Sequence, residues 1–130
     1  DADASILVTE FRKVNSPGDF KVVVNSKSEV MYVSRADIPC DARNPVDHRL
    51  KSYHIMSISR KTLEMYASME RSSMEKIEDN EILRFIENGY KVIAKKVDSA
   101  SISVDYPEDL EFVRKEILKE RIASYIDRMV

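Results

Sequence analysis

The chain has 130 residues, of which 43% are hydrophobic and 34% charged, and its 21 basic residues nearly balance 23 acidic ones. This composition suits one globular domain, lacks the basic excess of a nucleic-acid-binding protein and contains no apolar run long enough to span a membrane. We expect a cytoplasmic protein, because no secretory signal is visible and the single cysteine, Cys40, excludes an internal disulfide.

The first half of the chain is predicted to form strands separated by polar turns. Runs rich in β-branched residues indicate strands at residues 6–11, 20–25, 30–34 and 51–59. The polar segment "SKSE" between the second and third runs is typical of a hairpin turn. Residues 35–48 carry two prolines among polar residues and predict a long irregular loop, and such loops are often functional.

The second half is predicted to be mainly helical. Helix signals cover residues 60–69, and the segment "SSMEKIEDNEILRFIENG" predicts the clearest helix. Ser72 and Glu75 have the spacing of a capping box, and Gly89 is placed to end the helix. Its apolar stripe is expected to contain Met74, Ile77, Ile82, Phe85 and Ile86. We expect extended segments at residues 90–97 and 101–104 and a last helix from Pro107 to Asp127.

The stretch "SVDYPEDLE", residues 103–111, allows two interpretations of Asp105. Pro107 at the first helical position leaves Tyr106, a poor cap, at the N-cap, and Asp105 could replace it by accepting a bond from a nearby amide. Alternatively, Asp105 lies at the carboxyl end of a strand, where open α/β sheets bind ligands. A carboxylate there could bind magnesium, which favours oxygen ligands. The residues alone leave both interpretations open.

Three segments together resemble the 3-deoxy-manno-octulosonate cytidylyltransferase family. "VDYPEDLE" resembles that family's "VDTPEDLE", and "MYVSRADIP" resembles its "YFSRAPIP" after a "KVV" strand. "SSMEKIEDNEILRFIENGYKV" is similar to its helix and strand "SPLE…E…EQLR.LE.G.KI". The segments follow the family's order and spacing over about residues 1–115, and they match only the C-terminal half of its usual chain.

The resemblance implies a fold and an activity. The fold class would be α/β, namely the C-terminal part of a Rossmann-like nucleotide-diphospho-sugar transferase fold with a mixed sheet and flanking helices. The family joins CTP to a sugar acid, giving a CMP-sugar and pyrophosphate with magnesium, and it forms homodimers. The anomeric hydroxyl attacks the α-phosphate, where metal offsets charge. Surface polysaccharide synthesis in the cytoplasm would be its pathway.

The resemblance also implies roles for individual residues. Asp105 matches the aspartate that holds a catalytic magnesium ion, and Glu81 matches an acidic residue that contacts sugar hydroxyls. Arg35 matches the arginine near the substrate and the dimer region. Arg43 is the nearest equivalent of a sugar-acid-binding arginine, after a shift of one residue. Considered alone, Glu81 is typical of a solvated helix carboxylate, and Arg35 could pair with Asp37 or Asp41 at the surface.

Several positions depart from the family pattern. Ile82 replaces the glutamine expected after Glu81, which removes one sugar contact. The strand "RH.GIY" is "KSYHIMSI" here, so the family histidine aligns with Ser52, and His54 follows two residues later. In a strand, His54 is more often a packed side chain than a ligand. These changes leave open sialic, legionaminic or another nonulosonic acid as the sugar.

The largest departure is the expected absence of the nucleotide-binding half. The family holds its nucleotide with an N-terminal strand and a turn rich in Gly, Arg and Lys, and a second magnesium aspartate also lies upstream. Residues 1–130 are therefore interpreted as one domain, the sugar-binding and dimerisation part, that is inactive alone. One alternative is a non-catalytic dimerisation module, which the apolar strands and an expected open sheet edge favour. The other is half of a related nucleotidyltransferase.

Overall fold

The computed structural model describes residues 2–98, 104 and 107–126. They divide into two compact units, residues 1–99 and 100–130. The first unit contains β1 (Ala4–Phe11), β2 (Lys21–Val24), β3 (Val30–Ser34), β4 (Arg49–Ile58), α1 (Arg60–Ser68), α2 (Ser73–Glu78), α3 (Ile82–Glu87) and β5 (Val92–Lys96). The second contains α4 (Pro107–Ile126). The α/β class with a mixed sheet and flanking helices is confirmed, and the interpretation of residues 1–130 as one domain stays a prediction.

One mixed sheet contains all five strands in the order β3-β2-β4-β1-β5. β1 runs antiparallel to β4 and parallel to β5, and β2 and β3 form the predicted antiparallel hairpin. The sheet curls so that the segment just before edge strand β3 reaches edge strand β5, where Glu29 bridges to Ile93 and the Ala94 amide donates to the Ser28 carbonyl at 2.9 Å. The curl creates a concave face that holds the core.

The core forms between the sheet, above all its interior strand β1, and helix α3. Burial alternates along β1, as a half-covered strand requires, and its inward residues are at most 3% exposed: Ala4, Ile6 and Val8. Helix α3 contributes Ile82, Leu83 and Phe85, which are also at most 3% exposed. This packing fixes the position of α3 against the sheet.

The single helix predicted for residues 72–89 is wrong, because the structure has two short helices there. Asp79 ends α2 in the left-handed region, with φ 51° and ψ 52°. The Asn80 Oδ1 then accepts a hydrogen bond from the Ile82 amide at 3.1 Å, which stabilises the start of α3. The break also separates the predicted apolar stripe, so that Ile77 is 71% exposed while Ile82 is buried.

The predicted ends of this helical segment are confirmed. The capping box at Ser72 and Glu75 is present, and the Ser72 amide donates to Glu75 Oε2 at 3.2 Å. Gly89 follows α3 with φ 78°. Its amide donates to the Ile86 carbonyl at 3.0 Å, and the Tyr90 amide donates to the Phe85 carbonyl at 2.9 Å. These two bonds are those of a Schellman motif, which ends α3.

Helix α4 begins at Pro107, as predicted, and Glu108 and Asp109 occupy its first turn. Its predicted last residue, Asp127, lies outside the described residues, as does most of the extended segment predicted for residues 101–104. Among the described helices, none has the length and apolar character that a membrane span requires.

A buried ion pair joins α2 to α3. The Arg84 guanidinium contacts both oxygens of Glu75, with Nε to Oε2 at 2.6 Å and Nη2 to Oε1 at 2.5 Å. The Glu75 side chain is only 4% exposed and the Arg84 side chain 12%. Hydrogen bonds from Arg84 lower the pKa of Glu75 below its ordinary value of 4.5, although burial acts in the opposite direction. The carboxylate therefore stays ionised inside the fold.

A buried lysine joins the first turn of the chain to the end of β3. The Lys21 ammonium is 0% exposed and donates to the carbonyls of Ser16 at 2.7 Å, Asp19 at 2.8 Å and Arg35. It also lies 3.7 Å from the Asp37 carboxylate. Burial lowers the pKa of Lys21, while Asp37 and Asp19 oppose that effect. The contact with the Arg35 carbonyl holds the start of the long loop in place.

We expect Glu75→Gln to lower the free energy of unfolding by about 3 kcal/mol at pH 7, because it leaves the Arg84 charge buried without a counter-charge. The lowered pKa of Glu75 means that its stabilisation is present above about pH 4.5 and is lost as the pH falls through the folded-state value. Urea unfolding measured from pH 7 to pH 3 should therefore show that the difference in the free energy of unfolding between the wild type and Glu75→Gln becomes smaller as the pH falls. A difference that stays constant over this range would contradict the prediction.

Candidate functional site

Three glutamates follow one another at intervals of three residues, and two of them are engaged by the protein. Arg84 holds Glu75, as described above. The Glu78 Oε1 accepts from the Ser34 hydroxyl at 2.7 Å and the Tyr32 hydroxyl at 3.3 Å, and Oε2 accepts from the Arg35 amide at 3.1 Å. Glu78 thus fixes the end of β3. No pattern in the sequence predicts this role for Glu78.

The third glutamate, Glu81, is exposed, and among the described residues no hydrogen bond or ion pair uses its carboxylate. It lines a small cleft between α3 and β4. The other residues that line this cleft are Ile6, Ser52, His54, Ile55, Met56, Asn80 and Ile82. Of the three glutamates, Glu81 is therefore the one whose carboxylate the described fold leaves available to a ligand.

A wide bulge in β4 shapes the opposite wall of this cleft. Ile6 of β1 pairs with Met56, but Val8 pairs with Ser52, so three residues of β4 stand opposite Leu7 alone. Within the bulge, His54 has a φ of 54°, and its amide lies 3.4 Å from the Ser52 hydroxyl. Bulges of this kind redirect side chains. This one brings the positions of Ser52 and His54 to the same cleft as Glu81.

His54 is exposed, contrary to the expectation of a packed strand side chain. Its one described ring contact is an edge-on approach to Phe20, with the ring centres 5.3 Å apart. The left-handed backbone at His54 explains the difference, because it takes the side chain out of the alternation of a regular strand.

Arg35 lies at the end of β3, outside the cleft that contains Glu81. Its Nε donates to the Glu78 carbonyl at 3.3 Å and its Nη1 donates to the Pro17 carbonyl at 2.8 Å. The guanidinium also lies 4.1 Å from the centre of the Phe20 ring. Arg35 therefore connects the first turn, β3 and α2, and it lines a second cleft with residues 15–17, 36 and 37.

The ion pairs suggested for Arg35 are made by other residues. Asp37 lies 3.7 Å from Lys21, and Asp41 lies 3.4 Å from Arg49. Arg43 is exposed in the loop between β3 and β4 and lines neither of these two clefts. The structure thus brings Glu81 together with Ser52 and His54, and it does not bring Arg35 or Arg43 to them.

The metal site expected at Asp105 lies outside the described residues. Within residues 2–98, 104 and 107–126, no three or more histidine, cysteine, aspartate or glutamate side chains are grouped so that they could bind a metal ion.

Comparison with known proteins finds several relatives that carry the same name. No model of a known protein family matches the chain. It is 34% identical over 120 residues to the 3-deoxy-manno-octulosonate cytidylyltransferase of Chlorobium phaeobacteroides, covering 92% of this chain and 48% of that protein. The protein of the same name from Bacteroides thetaiotaomicron is 36% identical over 126 residues, with the same two coverages. The mitochondrial one from Arabidopsis thaliana is 32% identical over 129 residues, covering 95% of this chain and 44% of its own.

A solved structure shows the same fold. CMP:2-keto-3-deoxy-manno-octonic acid synthetase, complexed with CTP, matches with a TM-score of 0.81 at 28% identity, over 92% of this chain and 50% of that one. The chain thus spans about half the length of the relatives that it matches. Sequence and structure agree: this chain matches about one half of the 3-deoxy-manno-octulosonate cytidylyltransferases, in sequence and in fold.

Proposed function

We propose that this 130-residue chain forms the sugar-acid-binding part of a CTP-dependent cytidylyltransferase, which makes a CMP-sugar acid and pyrophosphate. The observation that carries the proposal is the cleft between α3 and β4, where the Glu81 carboxylate makes no described hydrogen bond or ion pair while Glu75 and Glu78 are both engaged. The names of the relatives, and the CTP complex of the matching structure, support the reaction class.

In this proposal, the cleft binds and orients the sugar. A carboxylate accepts hydrogen bonds from hydroxyl groups, and the Glu81 carboxylate is free to accept them. Fixing the sugar in this way would present its anomeric hydroxyl to the α-phosphorus of CTP, where a new P–O bond forms as the bond to pyrophosphate breaks. Arg35 would be a positioning residue, because its side chain donates to the carbonyls of Glu78 at the end of α2 and of Pro17 in the first turn.

We further propose that turnover needs Asp105 and residues outside this chain. Asp105 would offer one carboxylate ligand to magnesium, which otherwise relies on other protein residues and substrate phosphates. The described residues add no metal-binding group of three. The 130 residues alone would therefore bind the sugar acid without forming product.

A non-catalytic dimerisation module is the second candidate. Two apolar side chains on the sheet favour it, because Met31 and Ile55 are each 57% exposed. If these side chains associate, light scattering on the 130-residue chain should give twice the monomer mass. A monomer at about 1 mM protein would count against this candidate.

In a protein that spans the full length of these relatives, we expect Glu81→Gln to raise the KM for the sugar acid by about tenfold, because a charge-assisted hydrogen bond is lost. The KM for CTP should stay unchanged. Glu64→Gln is the matched control, since Glu64 lies in an exposed ion pair with Arg60, 2.9 Å away. A sugar KM that stays within twofold of the wild type would remove Glu81 from the site.

Asp105→Asn in the same full-length protein should lower kcat by at least about 100-fold, because an amide is a poor replacement for a carboxylate on magnesium. The measurement is pyrophosphate release from CTP and 3-deoxy-manno-octulosonate, with UTP as the nucleotide control. Glu108→Gln, in the first turn of α4, should leave turnover within twofold. Near-normal turnover of the Asp105 variant, with its circular dichroism unchanged, would overturn the proposed role.

A further inference from the structure

Asn80 lies in the turn between α2 and α3 and is only 3% exposed. Its Oδ1 accepts from the Ile82 amide at 3.1 Å, and its backbone carbonyl accepts from the Leu83 amide at 3.2 Å. Among the described residues, no hydrogen bond uses its side-chain nitrogen, Nδ2. Nδ2 is also not among the fully enclosed side-chain atoms of the described residues that lack a hydrogen-bond partner. Asn80 is one of the residues that line the cleft containing Glu81.

The cleft therefore offers groups of opposite hydrogen-bonding character. The Asn80 amide supplies two N–H donors, and the Glu81 carboxylate supplies acceptors. The Ser52 hydroxyl, 1% exposed, lies on the β4 side. The cavity has a volume of about 10 Å³, measured for the centre of a water-sized group, so it holds one such group.

We propose that Asn80 is a specificity-determining residue that donates from Nδ2 to one hydroxyl of the bound sugar acid, the same hydroxyl that donates to Glu81. This inference rests on the proposed function and adds a residue to it. A hydroxyl satisfies both partners because it donates and accepts at once. A carboxylate or phosphate oxygen is disfavoured there, because it would face the negative charge of Glu81.

The burial of Asn80 gives the contact its selectivity. If a ligand without this hydroxyl binds, Nδ2 has no acceptor. An unpaired polar group in a desolvated site costs binding energy. Sites built to bond a hydroxyl therefore reject analogues that lack it far more strongly than apolar sites reject an extra methylene.

Asn80→Asp separates the donor from the structural role of the residue. The aspartate keeps an acceptor oxygen for the Ile82 amide and loses the N–H donors. Asn88→Asp is the matched control, because Asn88 is an exposed asparagine at the other end of α3 whose Nδ2 donates to the Arg84 carbonyl at 2.8 Å. Both substitutions add one negative charge.

The test is an NMR titration of the 130-residue chain with 3-deoxy-manno-octulosonate, which follows the amides of His54, Glu81 and Ile82. We expect the Kd to rise at least about tenfold in Asn80→Asp and to stay within twofold in Asn88→Asp. Glu81→Gln should also weaken binding. In the double variant, Asn80→Asp with Glu81→Gln, the loss should be smaller than the product of the single losses, because both residues bond one hydroxyl.

Each other outcome is decisive. If Asn80→Asp binds within twofold of the wild type while Glu81→Gln weakens binding, the role of Asn80 is overturned and the proposed function stands. If the two losses multiply, Asn80 does not share a hydroxyl with Glu81 and the inference fails. If the wild-type chain shows no shift at these amides at 20 mM sugar acid, on the order of the weakest useful affinities, the inference and the assignment of the cleft both fail.

Discussion

The left-handed turn at Asp79 determines how the helical side of the protein meets the sheet. In one continuous helix, Glu75, Glu78 and Glu81 would lie along an oblique stripe on one side, because each step of three residues falls about 60° short of a full turn. The turn breaks that stripe and gives each carboxylate its own surroundings. Glu75 reaches Arg84, Glu78 reaches the end of β3, and Glu81 reaches the cleft beside β4.

Packing around Arg84 stabilises this arrangement from the other side. Its guanidinium lies 4.1 Å from the centre of the Tyr66 ring, and that ring stacks on Phe85 with the centres 4.8 Å apart. Helix α1, through Tyr66, thus contacts the same arginine that joins α2 to α3. None of these residues lines the cleft, but Phe85 belongs to the same short helix as Ile82, which does.

The sequence was sufficient for the features that depend on local chemistry. β-Branched runs located β3 at its exact residues, and the capping residues located both ends of the 72–89 segment. The break at Asp79 was missed because the apolar spacing continues across it, and only a strained backbone conformation marks it. The wide bulge in β4 was also missed, since its register depends on pairing with β1, which a single strand does not encode.

The same limits apply to the site. Resemblance selected Glu81, and the structure adds that its carboxylate makes no described hydrogen bond or ion pair. Resemblance also selected Arg35, whose described contacts are structural. Asn80 carries no sequence signal of a ligand role, because asparagine beside a helix start is normally a cap. Only its burial, together with the cleft, reveals the unused amide. The roles of Arg43 and Asp105 stay predictions.

The contact of Ser28 and Glu29 with edge strand β5 affects how copies of this chain would associate. Backbone groups of an open edge strand are ready templates for adding a strand from another molecule. Here Ser28 and Glu29 already use the groups of β5 at Ile93 and Ala94. At these two residues, a contact between copies would therefore depend on side chains and not on an added strand.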